Sequence, residues 1–144
     1  MAGDYRLSFF RKAINFLVRT GLRFGIGEKN TRMLTVAGRK SGKPMSTPVT
    51  LVVEDTGEWI VAPYGERQWV KNLRAAGTAT LSRGRKSRAI RVREVTHQEA
   101  VPIMRVYIQR VGVTRSYWEA GPNANEEELL AIAPNHPVFA IEDQ

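Results

Sequence analysis

Cysteine is absent from the 144-residue chain, which excludes disulfide frameworks, thiol nucleophiles and thiolate metal sites. Histidine is almost as scarce: His97 and His136 are the only two, far apart, with no HExxH or carboxylate–histidine cluster. A zinc enzyme is therefore not expected, and no metal site is assigned. There is no P-loop, no GxGxxG and no suggestively spaced Ser-His-Asp set, so few candidates remain for a general base. No apolar run approaches the roughly 20 residues of a membrane span. The amino-terminal stretch also lacks the uninterrupted apolar core of a signal peptide. The expected location is the cytoplasm, with peripheral contact at the inner face of the cell membrane as a further expectation. Without repeats, low-complexity stretches or linkers, residues 1–144 read as a single domain.

What the chain has in quantity is positive charge. Residues 1–95 hold 19 Lys/Arg against 7 Asp/Glu, whereas residues 96–144 hold 3 against 7. Such asymmetry calls for an anionic partner of the first two-thirds: a phosphate-bearing ligand, nucleic acid or a membrane surface. The charge concentrates between Ala37 and Val49, where Arg39, Lys40 and Lys43 share 13 residues with Gly38, Gly42, Pro44 and Pro48. Apolar runs flank it, Met33–Val36 before and Val49–Val53 after, so the stretch reads as strand, tight basic turn, strand. Gly42 supplies a positive φ, Pro44 holds the exit extended, and the turn's successive amides are expected to cradle an anion. A solvated hairpin tip is the alternative.

Tyr5–Phe24 reads as an amphipathic helix ended by Gly25 and Gly27, and residues 1–27 as an amino-terminal helical segment. Phe9, Phe10, Ala13, Ile14, Leu17 and Val18 face one way, with arginines and Lys12 around the rest. It either packs on the core or lies on anionic lipid. A third strand, Trp59–Ala62, follows the turn at Gly57, and Pro63–Gly65 breaks it. Gln68–Ala76 is predicted helical, with Trp69, Asn72 and Leu73 on one side and Gly77 as its cap. Thr78–Leu81 and Ala89–Val95 form a second hairpin around the basic tip Ser82–Ser87. Thr96 and Glu99 start a helix reaching Arg110. Val111–Asn125 is read as irregular, Glu126–Ile132 as an acidic helix and Asn135–Ile141 as the last strand. The fold class is α+β: a mostly antiparallel small closed or split β-barrel with flanking short helices, which solves the edge-strand problem better than an open sheet. If such a chain is an enzyme, a bound cofactor carries the reaction.

The stretch Leu34–Pro44 with its GRKSGK, then Thr47 and Pro48, Trp59–Ala62, and Trp69, Asn72 and Leu73 in a WxxNL pattern resemble the deazaflavin-dependent nitroreductase and quinone reductase family, an actinobacterial group that uses coenzyme F420. The resemblance is good over about residues 5–95. It implies a split β-barrel related to the FMN-binding oxidoreductases, and a cofactor with a deazaflavin ring and a phosphate- and glutamate-bearing tail. It places Arg39, Lys40 and Ser41 on the tail, and Gly42 and Lys43 of the same turn are candidate cofactor-binding residues beside them. Ser46, Thr47, Pro48 and Val49 would line the ring, and Ala62, Pro63, Tyr64, Gly65, Gln68, Trp69 and Asn72 complete the pocket. Met45 stands where the family commonly has Arg. A carboxy-terminal tyrosine covers substrate in nitroreducing members; Tyr117 is the first candidate and Tyr107 the second, while Tyr64 is a possible hydrogen-bond donor to substrate.

The resemblance implies hydride transfer from reduced F420 to a lipophilic quinone, activated alkene or nitro compound. Alternatives stay open: an FMN- or haem-binding barrel, a non-catalytic F420 carrier, or a single-stranded nucleic-acid module. Trp69 is alternatively a plain core aromatic, Asn72 a surface residue, and Tyr117 and Trp118 packing residues of an irregular segment.

Overall fold

The computed structural model describes residues 30–143; the helix expected over Tyr5–Phe24 lies outside them. Strands β1 (Thr31–Ala37) and β2 (Pro44–Glu54) pair antiparallel from Thr31 opposite Thr50 to Ala37 opposite Pro44. β3 (Gly57–Val61) continues the meander, but it pairs only with Leu51–Glu54 of β2. β4 (Thr78–Arg83) and β5 (Lys86–Glu94) form a hairpin around Gly84, whose φ is +60°. β6 (Val138–Asp143) joins β3 to β5, and Met33–Thr35 of β1 pairs with β4, closing a six-stranded barrel.

Local signals place the helices. α1 (Gln68–Ala76) stops where Gly77, at φ +71°, returns its N–H to the Leu73 carbonyl at 2.8 Å. α2 (His97–Arg110) starts with the Thr96 hydroxyl accepting from the Glu99 amide at 3.1 Å. α3 (Glu126–Ile132) has a reciprocal capping box between Asn125 and Glu128. The segment read as irregular contains a 3₁₀ helix, Gly112–Tyr117.

Strand alternation divides the apolar residues between two cores. Leu34, Val36, Val49, Leu51, Ile60, Leu81, Ile90 and Phe139 fill the barrel, joined by Val70 and Leu73 of α1. Val52, Val61 and Val138 face outward and are covered by α2, α3 and Trp118.

One boundary differs from expectation in a way that shapes the site. β2 begins at Pro44 rather than Val49 and carries two prolines. The Leu51 amide donates towards β1, to Asn30 O at 2.9 Å. By alternation the backbone of residues 44, 46, 48 and 50 faces away from β1. Pro44 and Pro48 thus remove no bond to β1, and β3 does not reach that far. Among the described residues this half of β2 is a bare edge, and Ser46 is the one residue between the two prolines whose backbone faces that way.

Candidate functional site

Opposite that edge lies a groove of about 550 Å³. Met45, Ser46 and Thr47 of β2 form one wall; Tyr64, Arg67, Gln68, Trp69 and Asn72 form another, with Tyr117 at the mouth. Such a volume is that of a small-molecule or cofactor site. The wall residues come from the β3–α1 connection and the first two turns of α1, which Val70 and Leu73 anchor in the barrel. Trp69 is both things foreseen: it packs against the barrel core and lines the groove.

Asn72 is not a surface residue; it is 4% exposed. Its Oδ1 accepts from the Arg39 amide at 3.1 Å and from Arg39 Nη1 at 2.9 Å, so it ties the basic turn to α1. The turn is otherwise wrapped on itself. Gly38 N donates to Lys43 O and Gly42 N to Gly38 O, both at 2.8 Å, and Lys43 N donates to Ser41 Oγ at 3.2 Å. Gly42 takes φ +73° as foreseen. The amides of Gly38, Arg39, Gly42 and Lys43 are therefore already used inside the protein. Four amides of the expected cradle are thus engaged within the protein, while the side chains of Arg39, Lys40 and Lys43 are all exposed.

Tyr64 and Tyr117 meet edge to face, with ring centroids 4.6 Å apart and planes at 86°. Arg67 places its guanidinium 5.9 Å from the centre of the Tyr64 ring and donates from Nε to the Tyr64 carbonyl at 3.3 Å. Burial, then the neighbouring Tyr117, raise the Tyr64 hydroxyl above its ordinary range, against the opposing charge of Arg67. Tyr64 is consequently a protonated hydrogen-bond donor at neutral pH.

Of the candidates drawn from sequence, Ser46, Thr47, Tyr64, Gln68, Trp69, Asn72 and Tyr117 share the groove. Gly42 instead borders a second recess of about 350 Å³, beside Thr35, Thr78 and Thr80. Val49 and Ala62 turn into the barrel core at 6% and 1% exposure, because strand alternation points them inward. Pro63 is buried as well, Pro48 sits on the outer face of β2, and Gly65 lies against Asn135. None of these five residues lines the groove. Tyr107, the second tyrosine candidate, is 3% exposed within the α2 core, where burial raises its hydroxyl. Arg67 was missed; a cation just before α1 on the strand-breaking loop was its only sequence signal.

No cluster among the described residues could hold a metal ion, and no helix of theirs is long and apolar enough to cross a membrane. His136 is buried with both ring nitrogens bonded, and His97 opens α2 on the outside of the barrel.

A family model described as F420H(2)-dependent quinone reductase matches residues 10–119. The fold is shared with an F420-H2 dependent reductase (FDR-A), 18% identical over 79% of this chain and 95% of that one, TM-score 0.53. It is shared with a haem-binding protein of Mycobacterium smegmatis, 12% identical over 80% and 46%, TM-score 0.55. An FAD-binding protein of Mesorhizobium loti is 16% identical over 82% and 83%, TM-score 0.51. At such identities the likeness establishes the fold alone. No curated protein matches the chain.

Proposed function

The chain belongs to the F420H(2)-dependent quinone reductase family, and on that premise we propose that its groove binds reduced F420 and passes a hydride to a quinone-type acceptor. The observation that carries this reading is where apolar surface is left open. Of the four large hydrophobic side chains exposed among the described residues, Met45, Tyr64 and Tyr117 all border the groove. An apolar rim beside a cationic turn suits a ligand with a flat ring at one end and negative charge at the other. It also suits a second, lipophilic ring stacked against the first. Met45 in place of a cation makes the rim more apolar and less attractive to a nitro or carboxylate group, which favours a quinone.

When bound, the cofactor supplies the hydride. Thr47, Trp69 and the bare edge at Ser46 would hold the ring in the groove. Arg39, Lys40 and Lys43 would hold the negatively charged tail, with Asn72 fixing the turn that carries them. Tyr64 and Tyr117 close over the acceptor, exclude water and keep it within reach of the ring, where orientation supplies much of the rate. The Tyr64 hydroxyl, protonated at neutral pH, is placed to donate to an acceptor oxygen as charge develops there.

His136, buried with both ring nitrogens bonded, offers no free nitrogen to a haem iron. Fluorescence titration with F420 and with FMN tests the cofactor, followed by anaerobic oxidation of the reduced complex with menadione and with a nitroimidazole. F420 binding with menadione turnover is expected. FMN binding alone would overturn the cofactor reading, and F420 binding without acceptor-dependent oxidation would make the protein a carrier.

A further inference from the structure

Outside the groove, one short stretch holds both of its tyrosines. His136 is 2% exposed, with Nδ1 3.1 Å from the Ala62 carbonyl oxygen and Nε2 2.7 Å from Glu119 Oε2. Its ring stacks on Trp118, centroids 3.8 Å apart and planes at 19°. Ala62 stands two residues before Tyr64, and Glu119 two residues after Tyr117. The neighbours of His136 repeat the connection: Asn135 Nδ2 donates to Glu119 Oε1 at 3.4 Å, and Ala62 N donates to Pro137 O at 2.9 Å. Two segments distant in sequence are thus fastened to one anchor just before β6.

We infer that His136 is the positioning residue for Tyr64 and Tyr117: a buried clip, bonded on one side to Ala62 and on the other to Glu119, that sets the gap between the two rings. Both tyrosines are about half exposed, at 46% and 55%. A solvated edge-to-face contact is too weak to order two loops unaided, since each residue loses backbone freedom when fixed. The buried bonds do it instead, because breaking one leaves a polar atom out of contact with water. A carbonyl and a carboxylate are both acceptors, so the ring makes both bonds only with a proton on each nitrogen. Either neutral tautomer keeps one arm and turns a lone pair on the other oxygen.

The consequence for acceptor binding rests on the reading of the groove proposed above; the clip itself does not. The test therefore begins with full-length protein free of cofactor, its tyrosine rings labelled for NMR and assigned with Tyr64→Phe and Tyr117→Phe. The ring-current displacement of the Tyr64–Tyr117 pair should be present in the wild type and lost in Glu119→Ala. That variant cuts one arm at a side chain 48% exposed, so folding should survive. Glu119→Gln, whose amide oxygen still accepts from Nε2, should restore the displacement; His136→Gln, which reaches one partner only, should not. Persistence of the displacement in folded Glu119→Ala and His136→Gln would refute the clip. In loaded enzyme, Glu119→Ala should raise the menadione KM about two- to tenfold with the F420 Kd unchanged. Released tyrosines with an unchanged KM would uphold the clip and refute the acceptor role given to the groove.

Discussion

Replacing Asn72 by alanine tests the link between barrel and turn most directly. The substitution removes the acceptor of two hydrogen bonds, one from the Arg39 amide at 3.1 Å and one from its guanidinium at 2.9 Å. A neutral bond contributes about 0.5–1.5 kcal/mol net and a charged one about 1.5–3. The guanidinium is on an exposed residue and regains water, so the lower part of the combined range applies, about 2 kcal/mol. For a domain near this size that lowers Tm by roughly 4–8 °C. The turn then has to be ordered by the ligand, at about 1–2 kcal/mol per residue fixed. If one residue's worth of order is lost, the F420 Kd rises roughly tenfold. Asn72→Asp should recover most of both quantities, because a carboxylate accepts the same two bonds and gains the charge of Arg39. Fluorescence titration and thermal unfolding read the two effects separately. A lowered Tm with wild-type F420 affinity would show that the turn takes no part in holding the cofactor.

Three further outcomes are expected. Lys40→Ala and Lys43→Ala should each weaken F420 binding about two- to fivefold and flatten its dependence on salt, since both cations are exposed; titrations at two ionic strengths decide, and an unchanged salt slope would contradict the tail-binding role. In Glu119, burial raises the carboxyl, but the His136 hydrogen bond, the residue's own backbone and the His136 charge outweigh it and hold the group below its ordinary value of 4.5. A depressed carboxyl stabilises the fold above the unfolded value and loses that contribution as pH falls through the folded one. Acid unfolding below about pH 4.5 should be shallower in Glu119→Gln, and parallel curves would contradict a Glu119 carboxylate held by His136. Gly77→Ala should cost about 1–2 kcal/mol because φ is +71° while the space around the new methyl is open; Gly42→Ala, at φ +73° and equally open, should cost a similar amount and also weaken F420 binding. Denaturant midpoints measure the first effect, and a stabilised Gly77→Ala would refute it.

The local parts of this architecture are legible in the chain. Thr96 with Glu99, and Gly77 after Ala76, mark helix ends through bonds between residues three or four apart. Gln68–Ala76 and Glu126–Ile132 occur with the bounds that the sequence indicates. Gly42 and Gly57 announce their turns because other residues resist those backbone angles. The groove residues Ser46, Thr47, Trp69, Asn72 and Tyr117 were legible by resemblance, and Tyr64 also as an aromatic on the strand-breaking segment. Their chemistry was less so. Asn72 resembles a ligand-binding amide until the barrel brings Arg39 onto it, 33 residues away.

Composition and periodicity by themselves determined an α+β chain, its turns, its helix ends and a concentrated positive charge looking for an anion. Those properties are set by backbone preferences and by neighbours within one turn or one hairpin. Tertiary structure alone decided that β1 meets β4, that β2 outruns β3 and leaves a bare edge beside the groove, and that His136 lies bonded between Ala62 and Glu119. Each of those depends on barrel closure, which joins residues that no local rule relates. The energy that fixes them is released only once the two cores exclude water.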